Sequence, residues 1–199
     1  MNLSSIMLLI AMTLWNGVYG QQSQKVTEKR LSIGMQSQRS PYGSFVDLQA
    51  GMVYNLKDAG NHQQDIDLVF GYSKVSAMNI MAPSSKSLKS FKLYRENVLS
   101  EWQYKNRGVL VVLKGGEKNR EIFEGIKTDG ELRDAFEEWT KPSGRKSSDR
   151  IEDVSVGDYI LFRSNQKEMY AVGYIADFQA KEGAEYQGHV LIDFKISGR

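Results

Sequence analysis

Two histidines, His62 and His189, are the only imidazoles in the chain, and no cysteine accompanies them. Thiolate nucleophiles and thiolate-held metals are therefore excluded. Imidazole catalysis or a histidine metal site needs further His, Asp or Glu groups converging on one point. His62 lies in a polar stretch. His189 opens an expected strand, with Asp193 four residues on along the same face. Four strand residues span roughly 13 Å, beyond direct contact. Solvent exposure or an ordinary hydrogen bond is the simpler reading of both histidines.

Other residue types that could do chemistry are weighed in the same way. Serine and lysine stand three apart twice, as Ser143-Gly144-Arg145-Lys146 and Ser164-Asn165-Gln166-Lys167. In penicillin-recognising enzymes a helix brings such a pair together. Here one copy falls in an expected loop and the other in an expected hairpin turn, with no S-D-N or K-T-G partner. Gly115-Gly116 lacks the spacing of a phosphate cradle and reads as a turn. Glu137 and Glu138 lie beside the apolar face of an expected helix, and Asp65 and Asp67 flank a strand start without an EF-hand pattern. Asp47, Asp67, Asp177 and Asp193 lie in or beside strands. They are the carboxylates that would have to meet across a cleft for glycan or peptide hydrolysis. Tyr170, Tyr174 and Phe178 share an expected strand face with Val172 and Ala176, a mixture that favours core packing over an aromatic sugar platform. Trp102 and Trp139 also read as core. No residue is nominated as catalytic, cofactor-binding or metal-ligating, and no cofactor is expected.

The elements that would position these residues are mostly strands. Ser44 to Leu48 and Met52 to Leu56 form a hairpin pattern around Gln49-Ala50-Gly51. Asp58 to Gln64 suits a short helical turn. Ile66 to Tyr72 places Ile66, Leu68, Phe70 and Tyr72 on one face. Met78 to Ala82 is a strand stopped by Pro83, Ser84 to Ser90 a Ser/Lys-rich loop, and Asn97 to Tyr104 a short helix carrying Val98, Leu99 and Trp102. Gly108 to Leu113 is apolar throughout and suits a strand buried on both faces. The clearest helix covers 128–140. Thr128 and Glu131 form a capping box, and Leu132, Ala135, Phe136 and Trp139 fall on one side. Residues 141–150 (KPSGRKSSDR) read as a long loop that could touch anionic polymers or simply be solvated. A three-strand meander follows: Asp158 to Arg163, Met169 to Phe178 and Gly188 to Ile196. The fold class is α+β, mostly antiparallel sheet with one clear amphipathic helix and one or two short ones. It forms a single domain over 44–199, preceded by a polar lead-in at 21–43 with an edge strand near Leu31 to Met35.

Residues 1–20 read as a signal peptide. Ile6 to Trp15 is apolar but too short to span a bilayer, and Val18 and Gly20 suit a signal peptidase. No Lys or Arg precedes that run. A lipoprotein signal requires cysteine, so the expected leader is of the plain cleavable kind. No transmembrane span is expected in the mature chain. The cysteine-free composition suits a bacterial periplasm or surface and excludes a disulfide-stapled domain. Net charge is +2 with basic and acidic residues interspersed, which argues against a nucleic-acid partner.

Two stretches look familiar together. One runs Gly43-Ser44-Phe45-Val46-Asp47-Leu48-Gln49-Ala50-Gly51-Met52-Val53-Tyr54, then Ile66-Asp67-Leu68-Val69-Phe70-Gly71-Tyr72-Ser73 and Ala82-Pro83-Ser84. The other runs Val156-Gly157-Asp158-Tyr159-Ile160-Leu161-Phe162, then Tyr170-Ala171-Val172-Gly173-Tyr174-Ile175. Their order resembles uncharacterised exported or cell-surface proteins of Bacteroidota. The resemblance covers about half of the mature chain and implies export, a β-rich fold and one integrated unit. It supplies no catalytic residue. The functional expectation is an exported envelope protein, a non-catalytic binding or scaffolding domain whose partner is an envelope polymer or protein. The alternative is a hydrolase of envelope polymers using converging carboxylates. Cleavage after Gly20 is expected. N-terminal sequencing of the exported protein should therefore read from Gln21, and a chain still beginning at Met1 in the cytoplasm would contradict it.

Overall fold

A computed structural model describes residues 24–36, 41–141 and 148–198. The expected signal peptide and most of the 141–150 loop lie outside them. Among the described residues, ten strands form two five-stranded antiparallel sheets. The first has the order β1 (Thr27–Gly34), β10 (His189–Ile196), β9 (Tyr170–Gln179), β8 (Tyr159–Ser164) and β6 (Gly108–Leu113). The second has the order β3 (Met52–Tyr54), β2 (Phe45–Asp47), β4 (Leu68–Ser73), β5 (Ala77–Met81) and β7 (Arg150–Val154).

Many of these strands are apolar on both sides, so each sheet needs two covers. The sheets cover each other. Ile33, Phe162, Ile175 and Val190, Ile192, Phe194 and Ile196 of the first pack with Val46, Leu68, Phe70, Met78 and Ile80 of the second. The outer face of the first sheet (Val111, Leu113, Leu161, Val172) is covered by α4 (Asp129–Thr140) through Leu132, Ala135, Phe136 and Trp139. Beside α4 lies α3 (Glu117–Gly125), which contributes the half-buried Ile122 and Phe123. The outer face of the second sheet (Phe45, Val69, Met81) is covered by a run of short helical pieces. These are α1 (Leu56–Ala59), a 3-10 turn (Lys86–Ser90), α2 (Lys92–Tyr94) and a π-helical turn (Arg95–Leu99), which bury Ala59, Leu88, Phe91, Tyr94 and Val98. The result is four layers, helix–sheet–sheet–helix, and the α+β class with antiparallel pairing holds.

The capping box forms as expected. The Thr128 side chain accepts from the Glu131 backbone N–H at 3.3 Å, and the Glu131 carboxylate accepts from the Thr128 N–H at 2.9 Å. The Lys127 N–H, the Thr128 hydroxyl and the Thr128 N–H all donate to the Glu131 carboxylate, and they hold that carboxyl below the usual glutamate range. The meander β8–β9–β10 also forms.

Five local expectations change. First, β1 starts at Thr27, ahead of Leu31, and pairs with β10 along its whole length, so the polar lead-in supplies a full edge strand. Second, α3 has no counterpart in the sequence reading. It contains no fully buried residue, and its Gly116 N-cap offers no side chain. Its C-terminal end is instead finished from β10. Lys195 donates to the Ile126 carbonyl at 2.7 Å and the Glu124 carbonyl at 3.3 Å, a cation placed where helix carbonyls are free. Third, the helix expected at 97–104 is displaced toward the N-terminus and ends at Leu99, while part of the expected Ser84 to Ser90 loop coils into the 3-10 turn. Fourth, the stretch between the expected 141–150 loop and the strand at Asp158 was assigned no element, and it forms β7 (Arg150–Val154), with charged residues at three of its five positions. Fifth, Phe178 leaves the face of Tyr170 and Tyr174. A bulge lets Leu191 pair with Asp177 and Ile192 with Ile175, and the extra residue inverts the alternation. Phe178 then stacks on Tyr72 across the two sheets, with ring centroids 6.0 Å apart.

Trp139 is 8% exposed, and its indole donates to Asn119 Oδ1 at 3.2 Å, tying α4 to α3. Trp139→Ala should cost on the order of 3–5 kcal/mol by urea unfolding. A loss within error of zero would contradict the placement of α4.

Candidate functional site

The residues singled out from the sequence are absorbed by structure. His62 stacks on Tyr54 at 4.4 Å and pairs with Asp65 at 3.5 Å; His189 stacks on Tyr42 at 4.0 Å. Asp193 forms a two-pronged ion pair with Arg30 on β1. Asp177 accepts from the Phe178 backbone N–H and the Gln179 amide, both at 2.8 Å. Glu138 lies 3.9 Å from Lys118, and Glu137 lies half-buried on α4. Gly115 donates its N–H to Asp158 Oδ1 at 3.2 Å, and Gly116 is extended. Ser164 Oγ accepts from the backbone of Gln166 and Lys167, a turn with no nucleophile–base contact. Ser143 and Lys146 lie outside the described residues. Tyr170 and Tyr174 pack under α3 and α4. Among the described residues no group of three or more His, Asp or Glu side chains is arranged to hold a metal ion.

The motifs of the two familiar stretches are turn chemistry. Asp47 Oδ1 accepts from Ala50 N–H at 3.0 Å, and Gly51 has φ +68° in the β2–β3 turn. Asp158 Oδ2 accepts from Ser155 N–H at 3.0 Å and pairs with Lys114 at 2.8 Å, with Gly157 at φ +89° just before it. The buried Tyr94 hydroxyl donates its one proton to the Phe70 carbonyl and can accept from the Ser44 hydroxyl, 2.9 Å away.

Asp67 is the exception in energy. It is fully buried and accepts from Leu48 N–H at 3.0 Å, while Lys167 reaches its Oδ1 at 2.8 Å. Lys167 also donates to the Asp65 carbonyl at 2.7 Å. The pair joins the β8–β9 turn of one sheet to the start of β4 in the other. Burial outweighs Lys167 and pushes the Asp67 carboxyl up to about 6.

Two clefts of larger volume lie on the helical cover of the second sheet. They flank the ridge formed by α2 and the π turn, and both are lined by Leu93 and Asn97. Single π turns recur at functional sites. The first cleft, about 910 Å³, lies between the ridge and the β4–β5 and β7 strand ends. Arg150 forms its floor. Its Nη2 and Nε donate to Asn79 Oδ1 at 2.7 and 2.9 Å, its Nη2 donates to Ser76 Oγ at 3.2 Å, and Glu152 pairs with it. The buried Asn79 is itself held by the Ala77 carbonyl at 2.9 Å. Ala77 and Asp153 both have positive φ, +43° and +55°, and Asp153 N–H donates to the Ser76 carbonyl at 3.2 Å. Non-glycine residues in that region are uncommon and are held there only by their surroundings. Gln36 closes one end, its amide bonding both backbone groups of Tyr72.

The second cleft, about 710 Å³, opens on the other side of the ridge, against the 41–44 segment and α1. Its polar lining includes Asn55, Asn61, Gln63 and Asn97, with Lys57 and Glu101 as the charged members and Trp102 in the wall. Asn55 caps α1 through Asp58 N–H at 3.0 Å, and Gln63 Oε1 accepts from Gln103 N–H at 2.8 Å. Asp193 lines a smaller cleft of about 360 Å³, where Arg30 already pairs with it, and neither larger cleft is lined by Asp47, Asp67, Asp177 or Asp193. The sequence reading missed both, because the segments that shape them come from 36 to 152 and are joined only by the fold.

No protein family's sequence profile matches the chain, and no curated protein matches it. Among solved structures it is similar to a crystal structure of a DUF4466 family protein from Parabacteroides merdae, at 16% identity and a TM-score of 0.57. The match covers 87% of this chain and 54% of that one, so this chain spans about half the length of its neighbour. At that identity the likeness is one of fold. The neighbour comes from a Bacteroidota genus, as the sequence resemblance would have it, and its family designation carries no activity.

Burial pushes the Asp67 carboxyl from the ordinary aspartate range up to about 6, so the folded chain binds a proton there more readily than the unfolded chain. Stability should therefore fall as pH rises through that window. From pH 7 to pH 5 the wild type should gain about 1 kcal/mol relative to Asp67→Asn, read as the difference between two urea-stability profiles. Parallel profiles would contradict the placement of Asp67.

Proposed function

We propose that the protein is an exported envelope protein that binds a polymer or protein partner at the ridge of residues 92–99 and its two clefts, without turning it over. The observation that carries this reading is the pair of clefts meeting at Leu93 and Asn97, walled by side chains already fixed by hydrogen bonds. Preformed concave surfaces with a few immobilised polar groups are the usual form of a binding site, because little ordering entropy remains to be lost. Export is supported by the short apolar run at residues 6–15, the absence of cysteine and the resemblance to exported Bacteroidota proteins. A non-catalytic role is supported by the fate of the four aspartates. Asp47 and Asp67 serve a turn and a buried ion pair beside the second sheet, and Asp177 and Asp193 serve local bonds on the first.

The test is retention of purified protein on insoluble envelope polymers, with released reducing ends and amino groups assayed in the same samples. Asn97→Arg, which drives a long cation into both clefts, should abolish retention. Glu138→Arg on the exposed side of α4 should leave it intact. Release of soluble fragments by the wild type would overturn the non-catalytic reading, and equal retention of Asn97→Arg would overturn the site.

A further inference from the structure

We infer that the crest of the second sheet's helical cover is a docking stripe for a linear acidic glycan, built from Lys86, Lys89, Lys92 and Arg95; this rests on the binding reading above. The stripe follows from a period of three in the sequence. Leu88, Phe91 and Tyr94 recur at that spacing and are buried against the sheet, and the four cations recur at the same spacing and are exposed. A 3-10 turn has three residues per turn, so Lys86 and Lys89 stand one above the other on Lys86–Ser90. Lys92 and Arg95 continue the row through α2 to the start of the π turn. No acidic residue occurs between positions 84 and 95. Lys86, Lys89 and Lys92 form no ion pair among the described residues, and Arg95 pairs with Glu96 at 3.7 Å, both side chains being more than half exposed. Like charges one turn apart repel, so the row works against the short helical pieces that carry it.

Charge is also segregated across the four layers. On the other outer face α4 carries Asp129, Glu131, Asp134, Glu137 and Glu138 against Arg133. A net charge of +2 therefore conceals a basic cover and an acidic one, and such a field turns an anionic partner toward the basic cover.

The surroundings of the stripe choose among anionic partners. A membrane surface calls for apolar side chains that insert beside the cations, and among the described residues every exposed large hydrophobic lies outside 84–100. Single-stranded nucleic acid calls for exposed aromatic rings on which bases stack, and the same stretch exposes none. A folded protein calls for an apolar centre to its interface, which a single row of cations does not offer. A linear acidic glycan needs none of these. The row also leads into the ridge between the clefts, where Lys92 lines the first and Leu93 and Asn97 line both. A sugar chain lying along it sets its acidic groups on the cations and brings its hydroxyls to the clefts. Those are lined by Ser73, Ser76 and Ser90 on one side and by Asn61 and Gln63 on the other, groups that both donate and accept.

The experiment measures the affinity of the purified protein for polygalacturonate at low and high salt. Neutral dextran, polyglutamate, single-stranded DNA and phosphatidylglycerol vesicles are the competing partners. Polygalacturonate should bind more tightly than all four and lose affinity as salt rises. Lys86→Gln, Lys89→Gln and Lys92→Gln should each weaken that binding about fivefold, and together about a hundredfold, at an unchanged or higher melting temperature. The double variant Lys118→Gln with Lys181→Gln, which removes exposed cations elsewhere, should bind as the wild type does. If it loses as much as two stripe substitutions, the attraction is one of net charge and the stripe is no site. If any competing partner binds as tightly as polygalacturonate, the acidic-glycan assignment is wrong. If polygalacturonate does not bind, or the triple variant binds it like the wild type, while Asn97-dependent retention on envelope polymers persists, this inference fails alone. If that retention is absent as well, both readings fail.

Discussion

A sheet with two apolar faces must be covered twice, and this fold follows from that requirement. Val69 and Phe70, or Leu110 and Val111, point in opposite directions from neighbouring positions on one strand, and all four are buried. Two such sheets can cover each other only once. Each then needs helices on its remaining face, which gives four layers from a chain of ordinary domain size. At roughly 25 cal/mol per Å² of apolar surface, the inner layer and the two outer ones each stabilise the fold substantially. The two helical covers are unlike. α4 is a regular amphipathic helix, and the cover of the second sheet is assembled from four short pieces. Irregular pieces leave gaps between them, and the two clefts are such gaps.

The two sheets are also tied by polar contacts at one end. Asp67 and Lys167 meet there, and Asn106, just before β6, donates to the carbonyls of Gln64 and Ile66, just before β4. Burying a carboxylate is costly even when it is paired. The ion pair therefore contributes less to raw stability than to fixing how the sheets meet, since an unpaired Lys167 or Asp67 would be worse still.

Much of the sheet was legible because the pattern was strict. Val190, Ile192, Phe194 and Ile196 alternate without interruption, and the capping box of Thr128 and Glu131 marks its helix in the sequence itself. Legibility failed where another element supplies what the sequence withholds. α3 takes its C-terminal cap from Lys195, seventy residues away, and shows no buried stripe of its own. β7 is charged at Arg150, Glu152 and Asp153, and its place is set by pairing with β5. Phe178 changes face through a bulge, and a bulge does not alter composition. The clefts were illegible for the same reason. Trp102 reads correctly as core, and only the fold places it in the wall of a cleft. The amides near it sit in a stretch, Asp58 to Gln64, that composition presents as a polar turn.

The central claim is that the irregular helical cover of the second sheet is the working surface. Hydrogen exchange, followed by mass spectrometry with and without the retained envelope polymer, tests it most directly. Backbone amides report solvent access and local opening along the whole chain at once. The account predicts slowed exchange in residues 41–44, 55–63 and 92–102, with α4 and the meander unchanged. Protection concentrated on α3 and α4, with the 92–102 ridge exchanging as in the free protein, would contradict it.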